Sequence, residues 1–194
     1  FVATDNTLAG RLGARTLAGL LGGKGKVAVV LHAPGSVSTM DREAGFRATM
    51  AKEFPGITIV AEQFGMSDRA KARAAAENIL AANPGLDGMF TTTEPSAAGV
   101  LLALKGRGLA GKVKLVTNDS SDALVEEMRA GNLDAMIAQD PFGMAFQAVQ
   151  TVVEKLDGKT PPKKIDLQPR VVTVKELDLP EVQQMLKPDL KKYL

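Results

Sequence analysis

Cysteine is absent from the 194 residues. That excludes a disulfide-stapled scaffold and a thiolate zinc site, and leaves reducing and oxidising compartments both open. There is one histidine, His32, and no Gly-x-Ser-x-Gly elbow, so neither a Ser-His-Asp triad nor a zinc centre assembles in the usual way. His32, at the end of an apolar run, reads as a satisfied polar residue rather than a base. An excess of one charge is also lacking: 24 Lys+Arg stand against 22 Asp+Glu, a net charge of +2. The basic residues are scattered apart from Lys163-Lys164 and the stretch from Lys187 to Lys192, which does not suggest a nucleic-acid binder. No apolar run approaches the roughly 18 residues of a membrane span. The chain opens at Phe1 with neither an initiator Met nor a basic-apolar leader, the look of a processed or trimmed chain. A phosphate loop must follow a strand and open a helix, but the glycine cluster Gly22-Gly23-Lys24-Gly25 precedes a strand and reads as a helix stop.

A 45% hydrophobic content over this length suits one domain with a real core. Asp5-Asn6-Thr7 offers caps to a helix carrying Leu8, Leu12, Leu17, Leu20 and Leu21. Lys26 to Leu31 is short, apolar and β-branched, as a buried parallel strand is. Ser38 to Phe46 opens the next helix, in which Phe46, Met50 and Phe54 recur every four residues, and Pro55-Gly56 turns the chain into a strand from Ile57 to Ala61. An alanine-rich helix from Ser67-Asp68-Arg69 to Ala82 follows. The alternation then repeats: strand Leu86 to Phe90, helix Pro95 to Leu104, strand Lys112 to Val116, a helix with Leu124, Val125 and Met128, and strand Leu133 to Ala138. Short strands alternating with helices predict an α/β fold, a doubly wound parallel sheet of five to six strands with helices on both faces. Beyond Pro141 a helix over 142–156 carries one wide apolar stripe and needs a partner surface. Two short strand-like pieces, Lys164 to Leu167 and Val171 to Val174, precede a polar tail.

Ligands of such sheets sit outside the carboxyl ends of the strands. The loops at Pro34 to Thr39, Thr91 to Pro95, Thr117 to Ser121 and Gln139 to Pro141 therefore share a rim. Arg42, read as lying in the first turn of its helix, is awkward there because the helix dipole disfavours a cation. An anion, a carboxylate or a hydroxyl-rich ligand sharing the site would offset that. Polyol recognition uses forked and planar groups, and the rim offers Arg42, Asn118, Asp119, Gln139 and Asp140 with Thr93 and Glu94. Each also has a plainer reading. Arg42 could pair with Asp41 or Asp119, Asp119 could cap the helix near Ser121, Gln139 could cap the sheet edge, and Glu94 with Asp119 could form an acid–base pair.

The segments Val2-Ala3-Thr4-Asp5-Asn6, Gly25-Lys26-Val27 with Pro34-Gly35, Asp41-Arg42-Glu43-Ala44-Gly45-Phe46, Asp68-Arg69-Ala70-Lys71-Ala72, Asn83-Pro84-Gly85-Leu86-Asp87-Gly88 and Ala138-Gln139-Asp140-Pro141-Phe142 give the chain its resemblance. In order and spacing it resembles the second lobe of the periplasmic sugar-binding proteins of the ribose-binding type. The resemblance implies sugar contacts from Arg42, Asp119 and Gln139. Thr93, Glu94 and Ser67 occupy the remaining ligand-binding positions, with no catalytic residue, metal or cofactor. Three departures stand out. Ser67 replaces the family's stacking Phe or Trp, Thr93-Glu94 replaces Asn-Asp, and Pro95 follows where Glu is frequent.

The resemblance further implies an extracytoplasmic solute receptor of an ABC importer. Such a receptor binds a monosaccharide-like molecule, performs no chemistry, touches no nucleic acid, and delivers its ligand to a membrane permease. Residues 1–194 would be the C-terminal lobe, with crossings to an N-terminal lobe near 1–6, 139–141 and 168–172. The 142–156 helix would belong to that other lobe. Alone, it would fold back, swap onto another chain or lie exposed and self-associate. Without the opposing lobe, Arg42 is expected to point into an open, solvated half-site. The rival is the effector-binding half of a LacI-type regulator, which shares the fold and a comparable arginine.

Overall fold

The computed structural model describes residues 1–192, so the last two positions of the lobe expected over 1–194 lie outside the described residues. Its strands are β1 (Val2–Thr4), β2 (Lys24–Leu31), β3 (Gly56–Phe64), β4 (Gly88–Thr91), β5 (Lys114–Asn118), β6 (Ala135–Ala138), β7 (Ile165–Leu167) and β8 (Arg170–Thr173). Its helices are α1 (Asn6–Leu20), α2 (Val37–Glu53), α3 (Arg69–Ala82), α4 (Glu94–Gly106), α5 (Asp122–Arg129), α6 (Pro141–Leu156) and α7 (Pro180–Leu186).

The main sheet runs β3-β2-β4-β5-β6-β8. It is parallel except for β8, which pairs antiparallel with β6 from Ala135↔Thr173 to Ala138↔Arg170. Successive strand residues face opposite sides, and the two cores follow that alternation. Val27, Val29 and Leu31 join Phe90, Val116 and Ile137 under α1 and α2. Ala28 and Val30 join Met89, Leu115 and Met136 under α3, α4 and α5. The double winding read from the alternating pattern is what the chain adopts.

Strand order reverses between β2 and β4, the switch point outside which doubly wound sheets bind ligands. Two tight contacts aim α2 at it. Phe46 stacks on Phe90 of β4 with ring centroids 4.2 Å apart and planes 5° from parallel, about 0.5–1.5 kcal/mol beyond the area buried. Residues four apart share a helix face, so Arg42 lies one turn before Phe46 and reaches Thr92, two residues beyond Phe90.

Two features differ from the sequence expectations and one adds to them. Helix α2 begins at Val37, with Ser36 in extended conformation before it. Arg42 is therefore in the second turn, where the dipole penalty has faded. Strand β7 does not join the main sheet but pairs in parallel with β1, from Val2↔Ile165 to Thr4↔Leu167. The expected polar tail contains α7, because Leu177 and Val182 are fully buried in the α3–α5 core and Met185 and Leu186 pack beside them.

Candidate functional site

Asp119 is the node of the rim. It follows β5 with φ of 71°, a left-handed conformation that Asp tolerates better than most residues. Ser121, not Asp119, caps α5, accepting from the Leu124 N–H. That leaves the Asp119 carboxylate for its neighbours. Oδ1 accepts from Arg42 Nη1 at 3.0 Å and from Gln139 Nε2 at 2.5 Å, and Oδ2 accepts from the Glu94 backbone N–H at 3.3 Å. Of the alternatives open for Arg42, the pairing with Asp119 is the one formed.

Arg42 is only 4% exposed, which corrects the expectation of an arginine pointing into open solvent. Its Nε donates to Asn6 Oδ1 at 2.9 Å, and Nη1 also donates to the Thr92 carbonyl at 2.8 Å. A buried guanidinium is tolerable only when paired and hydrogen-bonded, and three partners from three elements meet that need. Gln139, at the end of β6, accepts from the Thr4 hydroxyl at 2.8 Å while giving its amide N–H to Asp119. Three of the expected ligand residues, Arg42, Asp119 and Gln139, thus form one bonded unit. The Asp119 side chain, 23% exposed, is its outward part.

The other three are placed differently. Glu94 opens α4 and its carboxylate accepts from Arg69 at 2.8 Å. Thr93 is buried, with its hydroxyl on Ser96 at 3.2 Å and near His32 Nδ1 at 3.4 Å. Ser67 is exposed in the turn before α3, where Met66 and Ser67 have φ of 56° and 58°. With Asp119 these are the non-glycine residues of positive φ among the described residues, and all three lie in loops at the carboxyl edge of the sheet. Such strain concentrates where a loop's shape matters.

Asn6, Thr4 and Thr92 were not among the expected site residues. Asn6 and Thr92 act through an amide oxygen and a main-chain carbonyl, which leave little sequence signal. Asn6 did show as a helix-start residue. On the α1–α2 side of the same edge, Asn118 is wholly buried and neither of its amide atoms has a partner among the described residues; the Thr92 hydroxyl is likewise unpartnered. Beside Arg42, Glu43 is 6% exposed. Burial raises its carboxyl above the ordinary value, as does nearby Glu62, while Arg47 and the His32 N–H pull it down.

The sequence signature of the periplasmic binding protein domain matches residues 1–160. This chain belongs to the periplasmic binding protein domain family. One relative within that family is the D-allose-binding periplasmic protein of Escherichia coli, 33% identical over 156 residues, covering 79% of this chain and 50% of its own. Two solved solute binding proteins superpose closely. A carbohydrate transporter solute binding protein from Agrobacterium radiobacter in complex with D-arabinose gives a TM-score of 0.91 at 26% identity, over 96% of this chain and 65% of that one. An ABC transporter solute binding protein from Agrobacterium vitis bound with alpha-D-tagatopyranose gives 0.91 at 34% identity, over 95% and 62%. The chain spans about half the length of the curated relatives it matches.

Proposed function

We propose that this chain is the C-terminal, ligand-gripping lobe of an extracytoplasmic solute receptor for an ABC importer, and that its ligand is a neutral monosaccharide or similar polyol. The observation that carries this reading is the bonded Arg42–Asp119–Gln139 unit at the switch point of the sheet. It offers a part-exposed carboxylate as acceptor, with a guanidinium and an amide as donors, which suits vicinal hydroxyls. The relatives bound to D-arabinose and tagatopyranose support that ligand class. Arg42 is balanced by Asp119 and Arg69 by Glu94, so neither of these rim cations is left over for a phosphate.

The geometry supports the rest of the reading. Thr4 bonds to Gln139 and pairs with Leu167, and Arg170 pairs with Ala138, so segments 1–6, 139–141 and 168–172 lie side by side, as crossings to a second lobe would. Helix α6 has no buried residue, and Phe146, Val149, Val152, Val153 and Leu156 are more than half exposed. It does not fold back on the lobe, and an N-terminal lobe is its natural cover. Closure of two lobes would exclude water and present the ligand to a membrane permease without breaking a bond. The two carboxylates weighed as an acid–base pair are each held by a cation, Glu94 by Arg69 and Asp119 by Arg42, which supports binding rather than acid–base work. The sugar-receptor relatives favour this reading over an effector domain of a LacI-type regulator.

Calorimetry of the two-lobed protein against D-ribose, D-allose and D-arabinose tests the proposal. Wild type should bind at least one of them, and Arg42→Ala should abolish binding while the lobe stays folded. Full affinity in Arg42→Ala would remove Arg42 from the site.

A further inference from the structure

The groups that aim the ligand-facing side chains come from outside the main sheet. Thr4 and Asn6 flank the turn between β1 and α1, and each holds one member of the Arg42–Asp119–Gln139 unit. Asn6 Oδ1 takes the Arg42 Nε–H at 2.9 Å, while its Nδ2 donates to the Thr4 carbonyl at 3.1 Å. The Thr4 hydroxyl donates to Gln139 Oε1 at 2.8 Å. That bond suits the amide orientation in which Nε2 faces the Asp119 carboxylate, since the flipped amide would set oxygen against oxygen.

This turn is fastened to a separate ribbon. Strands β1 and β7 form their own two-stranded parallel sheet, and the Asp5 N–H extends it to the Leu167 carbonyl at 2.9 Å. The Thr4 hydroxyl also lies 3.6 Å from Met144 Sδ in the first turn of α6. Three segments, those carrying β1, the start of α6 and β7, therefore converge on one threonine. The ribbon belongs to neither helical layer of the lobe, yet its Thr4 fixes Gln139 directly and is tied to Asn6, the first residue of α1 and a partner of Arg42, through the Asn6 Nδ2 bond to the Thr4 carbonyl.

We propose that Thr4 and Asn6 are positioning residues that couple twisting of the β1–β7 ribbon to the grip of Arg42 and Gln139 on ligand. This deepens the receptor reading above and rests on it. A rotation of the ribbon moves the Thr4–Gln139 bond directly and the Asn6–Arg42 bond through the Asn6–Thr4 link, so the open form loosens the pair and the closed form locks it. Ligand then favours closure through these two residues without touching either of them, and ligand shifts the equilibrium only by what it gains in the locked state.

Two measurements test the coupling. In this chain, proton exchange at Arg42 Nε–H, followed by NMR, should be slow in wild type, at least tenfold faster in Asn6→Ala and near wild type in Asn6→Asp, which keeps the acceptor. In the two-lobed protein, calorimetry with D-ribose, D-allose and D-arabinose should show Thr4→Val at least tenfold weaker and Thr4→Ser close to wild type, with ligand-free unfolding temperatures unchanged. Thr4→Val added to Gln139→Ala should cost nothing further. Unchanged exchange in Asn6→Ala together with unchanged affinity in Thr4→Val would overturn the proposal, as would a Thr4→Ser loss equal to that of Thr4→Val. If wild type binds no sugar, the receptor reading falls and the Arg42 exchange alone decides whether Asn6 positions it.

Discussion

Gly10 of α1 lies against the backbone of Arg42: a Cβ on Gly10 would stand 1.9 Å from the Arg42 carbonyl oxygen. Gly45 of α2 returns the contact, where a Cβ would stand 2.2 Å from the Thr7 carbonyl oxygen. The two helices meet through bare backbone, and that approach brings Asn6, at the start of α1, within reach of the Arg42 guanidinium. Packing and site geometry are here the same contact.

Gly10→Ala should therefore push α1 from α2. The obstacle is backbone, which cannot swing aside, so the cost should be about 1–3 kcal/mol, the range for overpacked cores. Ligand affinity should fall with it. Gly19 near the end of α1 has nothing within 4 Å of a built Cβ, so Gly19→Ala is the matched control. It should gain about 0.5–1 kcal/mol from helix propensity. Urea unfolding of both variants separates the two effects.

Asp119→Asn keeps the shape of the node and removes its charge. Arg42 would then be a buried cation without a counter-charge, and stripping one partner of such a pair costs about 3–5 kcal/mol. The 23% exposure of the Asp119 side chain places the expectation at the low end. Glu94→Gln, whose partner Arg69 is 64% exposed, should cost about 1 kcal/mol or less. Denaturant midpoints that rank the two variants the other way would show that Glu94, not Asp119, organises the rim.

The double winding was legible because each strand is a short apolar run and each helix announces its ends. Asp68 caps α3 and Pro84-Gly85 stop it, and Phe46 with Met50 marks the inward face of α2. Arg42, Asp119 and Gln139 were legible because strand ends converge in such a fold. The burial of Arg42 was not, since it depends on Asn6 and the Thr92 carbonyl approaching across about 36 and 50 residues of chain. Thr93 read as a ligand group from its place after β4, but the actual choice of Ser96 and His32 as partners is a matter of rotamer. Helix α7 was missed because its apolar positions are few and matter only once the α3–α5 core stands beside them.

Helix α6 exposes five large apolar residues along one side, a continuous surface of the kind that drives association when uncovered. This chain by itself should sediment with a concentration-dependent mass. The double variant Val149→Lys/Val152→Glu should restore a monomer without changing the unfolding midpoint of the lobe, because neither side chain is buried. A wild-type chain that stays monomeric at high concentration in sedimentation equilibrium would show that the stripe alone is not sufficient for self-association.

Glu43 makes stability depend on pH in a direction opposite to the usual carboxylate. Burial leads the causes that raise its carboxyl above the ordinary value of 4.5, one of its oxygens has no partner among the described residues, and Arg47 is 3.7 Å from the other. The folded state therefore favours the protonated form more than the unfolded state does. That advantage is complete below the ordinary value and is lost as pH rises through the raised one. Glu43→Gln mimics the protonated acid at every pH. Its unfolding temperature should match wild type near pH 4 and exceed it at pH 7, with the gap opening as pH climbs from about 4.5. Thermal unfolding followed by circular dichroism from pH 4 to 8 reads this directly, and a gap that instead widened towards acid would mean that the Arg47 contact outweighs burial at this site.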